Sequence, residues 1–138
     1  MILLDTHIWL WLVHDDPMPD DLQLALDVRD DGDRLAVSVI SCWEIAKLVE
    51  LGRLHLPRRL DEWFPDALGP SGVELIPLSP SIAIDACNLP GEFHRDPADQ
   101  IIVATARVHD MSLATADGKI RGYPYVRILD GMRIHDGD

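Results

Sequence analysis

The chain has 138 residues, with 24 Asp and Glu against 12 Lys and Arg and a formal charge of −12. That length holds one domain with a real core, and that charge argues against a module held on nucleic acid by cationic side chains alone. It favours a partner with a basic face, unless some of the acids are themselves cation ligands.

Met1 to Leu4 predicts a short buried strand, and Thr6 to Val13 a helix that is apolar almost all round, broken by Pro17 and Pro19. Such a helix calls for contact on more than one side, from the sheet and from a partner. Asp20 to Asp31 predicts a second helix stopped near Gly32, and Arg34 to Val39 a strand. Ser41 to Leu51 follows as a helix ending at Gly52, and Pro57 to Leu68 as a helix interrupted by Pro65. Val73 to Leu78 predicts a strand, Pro80 to Leu89 a helix, and Pro97 to His109 the most regular helix of the chain. Ser112 to Thr115 and Val126 to Leu129 predict the last two strands. The residues after Asp130 form a polar tail. Short apolar strands alternating with helices signify an α/β fold, a parallel sheet covered on both faces.

Such sheets bind ligands beyond the carboxyl ends of their strands. Four acids fall where this fold would deliver them to that edge. Asp5 follows Ile2-Leu3-Leu4, and Asp117 follows the strand at Ser112; Glu44 and Asp99 sit in the predicted first turns of their helices. Clustered carboxylates are costly unless paired or metal-bound, so the pattern points to a hard-cation site. Each acid also has a plainer reading. Ser41-x-x-Glu44 matches a capping box. Asp96 matches an N-cap with Pro97 at N1, which places Asp99 at N3 and ranks Asp96 below it as a ligand. Asp5 could cap the Thr6 helix, a role Thr6 could also fill, and Asp117 could open a turn with Gly118. The face shared by Glu44, Leu48 and Leu51, and that shared by Asp99, Val103 and Ala106, favour inward-facing acids.

The histidines show no metal-ligand spacing; His94, near Asp96, could touch a substrate but reads first as a surface-loop residue. Trp9, Trp11, Trp43 and Trp63 read as core or interface anchors, while Lys47, Arg95, Arg107 and Arg121 are candidate phosphate contacts. Cys42 and Cys87, without a CxxC pair, suit free thiols in a reducing cytoplasm. No signal peptide is expected, because the N-terminus has no basic region and Asp5 and His7 break its apolar stretch. No apolar run reaches membrane-spanning length.

Four segments together resemble the PIN-domain ribonucleases: Leu3-Leu4-Asp5-Thr6-His7, Ser41-Cys42-Trp43-Glu44-Ile45, Asp96-Pro97-Ala98-Asp99-Gln100-Ile101-Ile102, and Thr115-Ala116-Asp117. Val49-Glu50-Leu51-Gly52-Arg53-Leu54 narrows the resemblance to VapC-type toxins of bacterial toxin–antitoxin pairs. The resemblance implies a three-layer α/β/α domain over residues 1–130, with a tail over 131–138. It implies a Mg²⁺ or Mn²⁺ site built from Asp5, Glu44, Asp99 and Asp117, with Thr6, Asp96 and Thr115 in support. It further implies a cytoplasmic endoribonuclease, an RNA substrate, a cognate antitoxin and a homodimer. The fourth motif departs from the family habit of a larger polar residue before its Asp or an acid after it.

Two rival readings follow from the same acids. A Mg²⁺-dependent phosphotransfer domain also gathers carboxylates at strand ends, but the dehalogenase kind needs Asp-x-Asp where this chain has Asp5-Thr6-His7. A non-enzymatic protein-binding module would use the acids only as helix caps.

Overall fold

The computed structural model describes residues 1–27, 33–69 and 72–129. Among them, a fully parallel four-stranded sheet has the order β3-β2-β1-β4, with β1 at Ile2–Leu4, β2 at Leu35–Ser38, β3 at Val73–Ile76 and β4 at Ser112–Ala114. Alternation along the strands sends Leu3, Ala36, Ile76 and Leu113 to one face and Ile2, Leu4, Leu35, Val37, Val73 and Ala114 to the other. Both faces are covered. One carries α5 (Pro80–Ala86), α6 (Pro97–Val108) and α7 (Gly118–Arg121) through Ile82, Ile102, Val103 and Ile120. The other carries α1 (Thr6–Val13), α2 (Asp20–Asp27), α3 (Val39–Glu50) and α4 (Leu60–Ala67) through Ile8, Trp9, Leu22, Ile45 and Trp63. The expected three-layer α/β/α arrangement is therefore present.

The apolar wrap of α1 is answered largely from within the chain. Trp9 is fully buried, stacks on Phe64 and meets Trp63 edge-on, and its indole N–H donates to the Ala67 carbonyl at 3.2 Å. Trp11, Leu12 and Val13 pack half-buried against the same core. The open part of these three side chains is the surface on which the expected partner contact would fall. Trp43 is not a core residue, being 57% exposed on the outer side of α3, which leaves it the interface half of the expected role.

Several boundaries differ from the sequence expectation. β2 ends at Ser38 and α3 begins at Val39, two residues before Ser41, because the Ser38 hydroxyl accepts the Ile40 N–H and caps the helix there. The β-branched pair Val39-Ile40 favours a strand by propensity, and this cap overrides it. The α4 helix starts at Leu60 rather than Pro57. Pro65 lies in its last turn, where it cannot donate to the Asp61 carbonyl, and the helix ends two residues further on. The expected strand at Val126–Leu129 shrinks to a single parallel bridge, Leu113 with Ile128. The neighbouring Tyr125 carbonyl is instead taken by the Arg107 guanidinium. Val28 to Asp31 and the tail after Leu129 lie outside the described residues.

Candidate active site

The chain leaves β1 toward β2 and β3 on one side and returns through β4 on the other. The carboxyl edge between β1 and β4 is therefore a topological switch point, the place where doubly wound sheets open a crevice. Asp5 stands there, immediately after β1. It caps α1, Oδ1 accepting the Thr6 N–H at 2.8 Å, while Oδ2 accepts the Thr115 hydroxyl from the end of β4 at 2.7 Å. The Thr115 hydroxyl in turn accepts the Asp117 N–H at 3.1 Å, which orients its proton toward Asp5. Asp5 thus does cap its helix, but 9% exposure makes it a buried acid rather than a solvent-edge cap.

The capping-box reading of Ser41 and Glu44 does not hold. Ser41 is buried inside α3, and Glu44 lies a full turn beyond the helix start. Glu44 Oε1 accepts the Thr6 hydroxyl at 2.6 Å, and Ser41 Oγ lies 2.8 Å from that hydroxyl. Since Thr6 donates to Glu44, Ser41 donates to Thr6. A chain of three hydroxyl and carboxyl groups therefore locks α1 to α3 at the acid edge. Leu51, expected on the Glu44 face, lies past the helix end and is exposed.

Asp99 follows its cap as expected: Asp96 Oδ1 accepts the Asp99 N–H at 3.1 Å, with Pro97 at the first helical position. The Asp99 side chain is engaged by His94, with Nε2 2.7 Å from Oδ2. His94 is held by Phe93, whose ring centroid is 4.3 Å away, and by the Gln100 amide donating to the His94 carbonyl at 3.1 Å. The loop before it is seated tightly. At Gly91, with φ +67, a Cβ would stand 2.9 Å from the Tyr125 ring. The role of His94 as the partner of Asp99 is what sequence reasoning missed. Its spacing of five from Asp99 straddles a helix start and has no periodic signature.

Asp117 is exposed and caps α7, Oδ1 accepting the Lys119 and Ile120 N–H groups at 2.8 and 3.3 Å. The expected turn role is thus real, and the side chain also adds to the negative field on Asp5.

The three inner acids share one electrostatic signature. Burial pushes the Asp5 carboxyl up, opposed by its Thr115 and Thr6 hydrogen bonds. Burial likewise pushes Glu44 up to about 7, opposed by Thr6 and reinforced by the negative charges of Asp5, Asp99 and Asp96. Asp99 is raised by burial, lowered by His94 and raised again by Asp96 and Asp5. No Lys or Arg pairs with any of them among the described residues. Carboxylates packed this way store repulsion that a divalent cation would relieve. The three carboxylates offer oxygen donors, as Mg²⁺ or Mn²⁺ prefers. Among the described residues no three such side chains close around an ion unaided. The set suits a cation that keeps part of its water shell.

The comparisons with known proteins agree with this architecture. A family model described as PIN domain matches residues 2–124. Ribonuclease VapC22 of Mycobacterium tuberculosis is 34% identical over 127 residues, covering 91% of this chain and 94% of that protein. A toxin–antitoxin complex from Klebsiella pneumoniae contains a chain with TM-score 0.63 and 25% identity, covering 91% of this chain and 95% of that one. VapBC2 from Rickettsia felis, bound to a promoter DNA fragment, has TM-score 0.67 at 19% identity over 93% and 97% of the two chains, a likeness of fold. With a parallel sheet, an acidic switch-point crevice and these relatives, the chain belongs to the PIN-domain family and stands within it among the VapC-type ribonucleases.

Proposed function

We propose that the protein is a divalent-metal-dependent endoribonuclease that hydrolyses RNA phosphodiester bonds, the toxin of a toxin–antitoxin pair. One observation carries this reading: Asp5, Glu44 and Asp99, far apart in sequence, gather at one sheet edge, where burial raises all three and Asp5 adds its charge to Glu44 and Asp99, with no Lys or Arg paired to them among the described residues. Asp5 and Asp99 are the principal Mg²⁺ or Mn²⁺ ligands, Glu44 binds directly or orients the attacking water, and Asp117 completes the shell or serves a second ion. The bound cation supplies a water of lowered pKa and offsets charge on the scissile phosphate. Thr6 and Thr115 each hold one oxygen of Glu44 and Asp5 and so fix how those carboxylates face the crevice. His94 does the same for Asp99. A curated relative is a ribonuclease and solved neighbours are toxin–antitoxin complexes, which supports RNA as substrate and an antitoxin as partner. A basic antitoxin segment would suit both the crevice and the charge of −12. Cleavage of RNA that needs added Mg²⁺ or Mn²⁺ and stops with excess EDTA is the expected result; cleavage indifferent to EDTA would overturn the reading.

The raised carboxyls set a pH dependence. Their folded pKa values lie above the unfolded ones, so between pH 4.5 and about 7 the folded state binds more protons than the unfolded, and stability falls as pH rises through that window. Metal-free protein should therefore melt roughly 3–6 °C lower at pH 8 than at pH 5 from this source. Mg²⁺ should restore more of the loss at pH 8 than at pH 5. Calorimetric melts with and without Mg²⁺ check this, and equal metal effects at both pH values would count against the cluster.

His94→Ala should leave the fold intact and weaken Mn²⁺ binding by roughly tenfold or more, the usual loss for a residue that orients a ligand. His94→Gln, which keeps a donor, should recover part of it. Calorimetric titration of Mn²⁺ into the folded variants measures both.

A further inference from the structure

An acidic enzyme that cuts a polyanion must hold its substrate against its own field, and the pairing of its cations shows where. Arg29 and Arg133 lie outside the described residues. Of the other Lys and Arg side chains, all but Arg53, Arg95 and Lys119 stand within ion-pair distance of a carboxylate. Three of the four phosphate contacts expected from the sequence are committed in this way. Lys47 pairs with Glu50 at 2.9 Å, and Arg107 with Asp85 at 2.9 Å. Arg121 pairs with Asp21 at 3.1 Å and donates to the Thr115 carbonyl. Arg95 has no such partner among the described residues.

The free cations are not scattered. Arg95 is exposed between His94 and the Asp96 cap, at the start of α6, and on the wall of an open groove of about 480 Å³ beside Phe93 and Gln100. Lys119 is exposed two residues after Asp117, its own N–H bound to that carboxylate while its ammonium has no partner among the described residues. Both sit at the carboxyl edge of the sheet, one on the α6 side of the acids and one on the β4 side. Arg53 follows the end of α3, which runs back from that edge, and so lies at the opposite end.

We infer that Arg95 and Lys119 form a two-point phosphate grip for single-stranded RNA, each holding a backbone phosphate beside the scissile one. The inference rests on the ribonuclease reading above. A cation already paired must give up a carboxylate to take a phosphate, whereas these two give up only water. Leaving them unpaired in a chain with twice as many acids as bases is the placement that retains local attraction for RNA at the acid crevice.

The test measures binding of a single-stranded oligoribonucleotide to the Asp5→Asn protein in Mg²⁺ across a range of salt. Arg95→Gln and Lys119→Gln should each weaken binding and lower the slope of log K against log salt by about 0.7, the value of one lost phosphate contact on a single strand. Arg53→Gln removes the same charge from the other end and should leave the slope unchanged. Slopes unaltered by Arg95→Gln and Lys119→Gln, or altered equally by Arg53→Gln, would overturn the grip while leaving the ribonuclease reading standing. RNA binding absent from the parent at every salt concentration would overturn both. In the active protein, Arg95→Gln should raise KM with kcat nearly unchanged; a fall in kcat alone would also count against it.

Discussion

Asp5→Asn should lower RNA cleavage by about a thousandfold or more, the order expected when a metal-held transition-state interaction worth several kcal/mol is removed. The same substitution should leave the melting temperature unchanged or slightly raised in metal-free protein. Asparagine caps a helix as well as aspartate does, so the Thr6 N–H keeps its acceptor. The Thr115 hydroxyl can also find an amide oxygen, although one of the two bonds must weaken. Against that loss stands the removal of a buried charge that faces Glu44, Asp99 and Asp117. Activity and stability therefore move apart, as they do where a protein tolerates repulsion for function. Cleavage assays paired with melting curves read both, and a variant that loses stability as well as activity would make Asp5 a structural cap first.

Trp9→Ala should be the most destabilising single change in the molecule, costing about 3–5 kcal/mol and roughly 10–20 °C in melting temperature. Trp9 is fully buried and is the meeting point of α1 with α4. Removing it strips the ring contacts to Trp63 and Phe64 and takes the indole donor away from the Ala67 carbonyl. Trp43→Ala, on the same layer but 57% exposed, should cost under about 1 kcal/mol. Chemical denaturation of both variants checks the contrast. Equal losses would mean that the exposed face of α3 is covered in solution.

Much of this architecture was legible in the order of residues. The alternation of short aliphatic runs with amphipathic helices is a local property of the chain, and it predicts a parallel sheet because only such a sheet buries Ile2-Leu3-Leu4 and Leu35-Ala36-Val37 on both faces. The Asp96-Pro97-x-Asp99 start of α6 was readable for the same reason: cap, N1 proline and N3 acid are neighbours in sequence. The α3 boundary was not. Ser38 and Ser41 are both competent caps, and the choice depends on where β2 loses its partners. Nor was the shrinking of the expected last strand to a single bridge at Ile128, since pairing with Leu113 is a contact across the fold.

Residue order alone determined that acids would recur at strand ends and helix starts, because strand length, turn chemistry and capping act over a few residues. Only the tertiary structure decided which of them share a field, and that Thr6, Thr115 and His94 are the groups that hold them. It also decided that, among the described residues, most cations are spent on carboxylates while Arg95 and Lys119 are not. Those outcomes follow from through-space distance between segments separated by up to 110 positions, and Coulomb energy and hydrogen bonding depend on that distance and not on sequence separation.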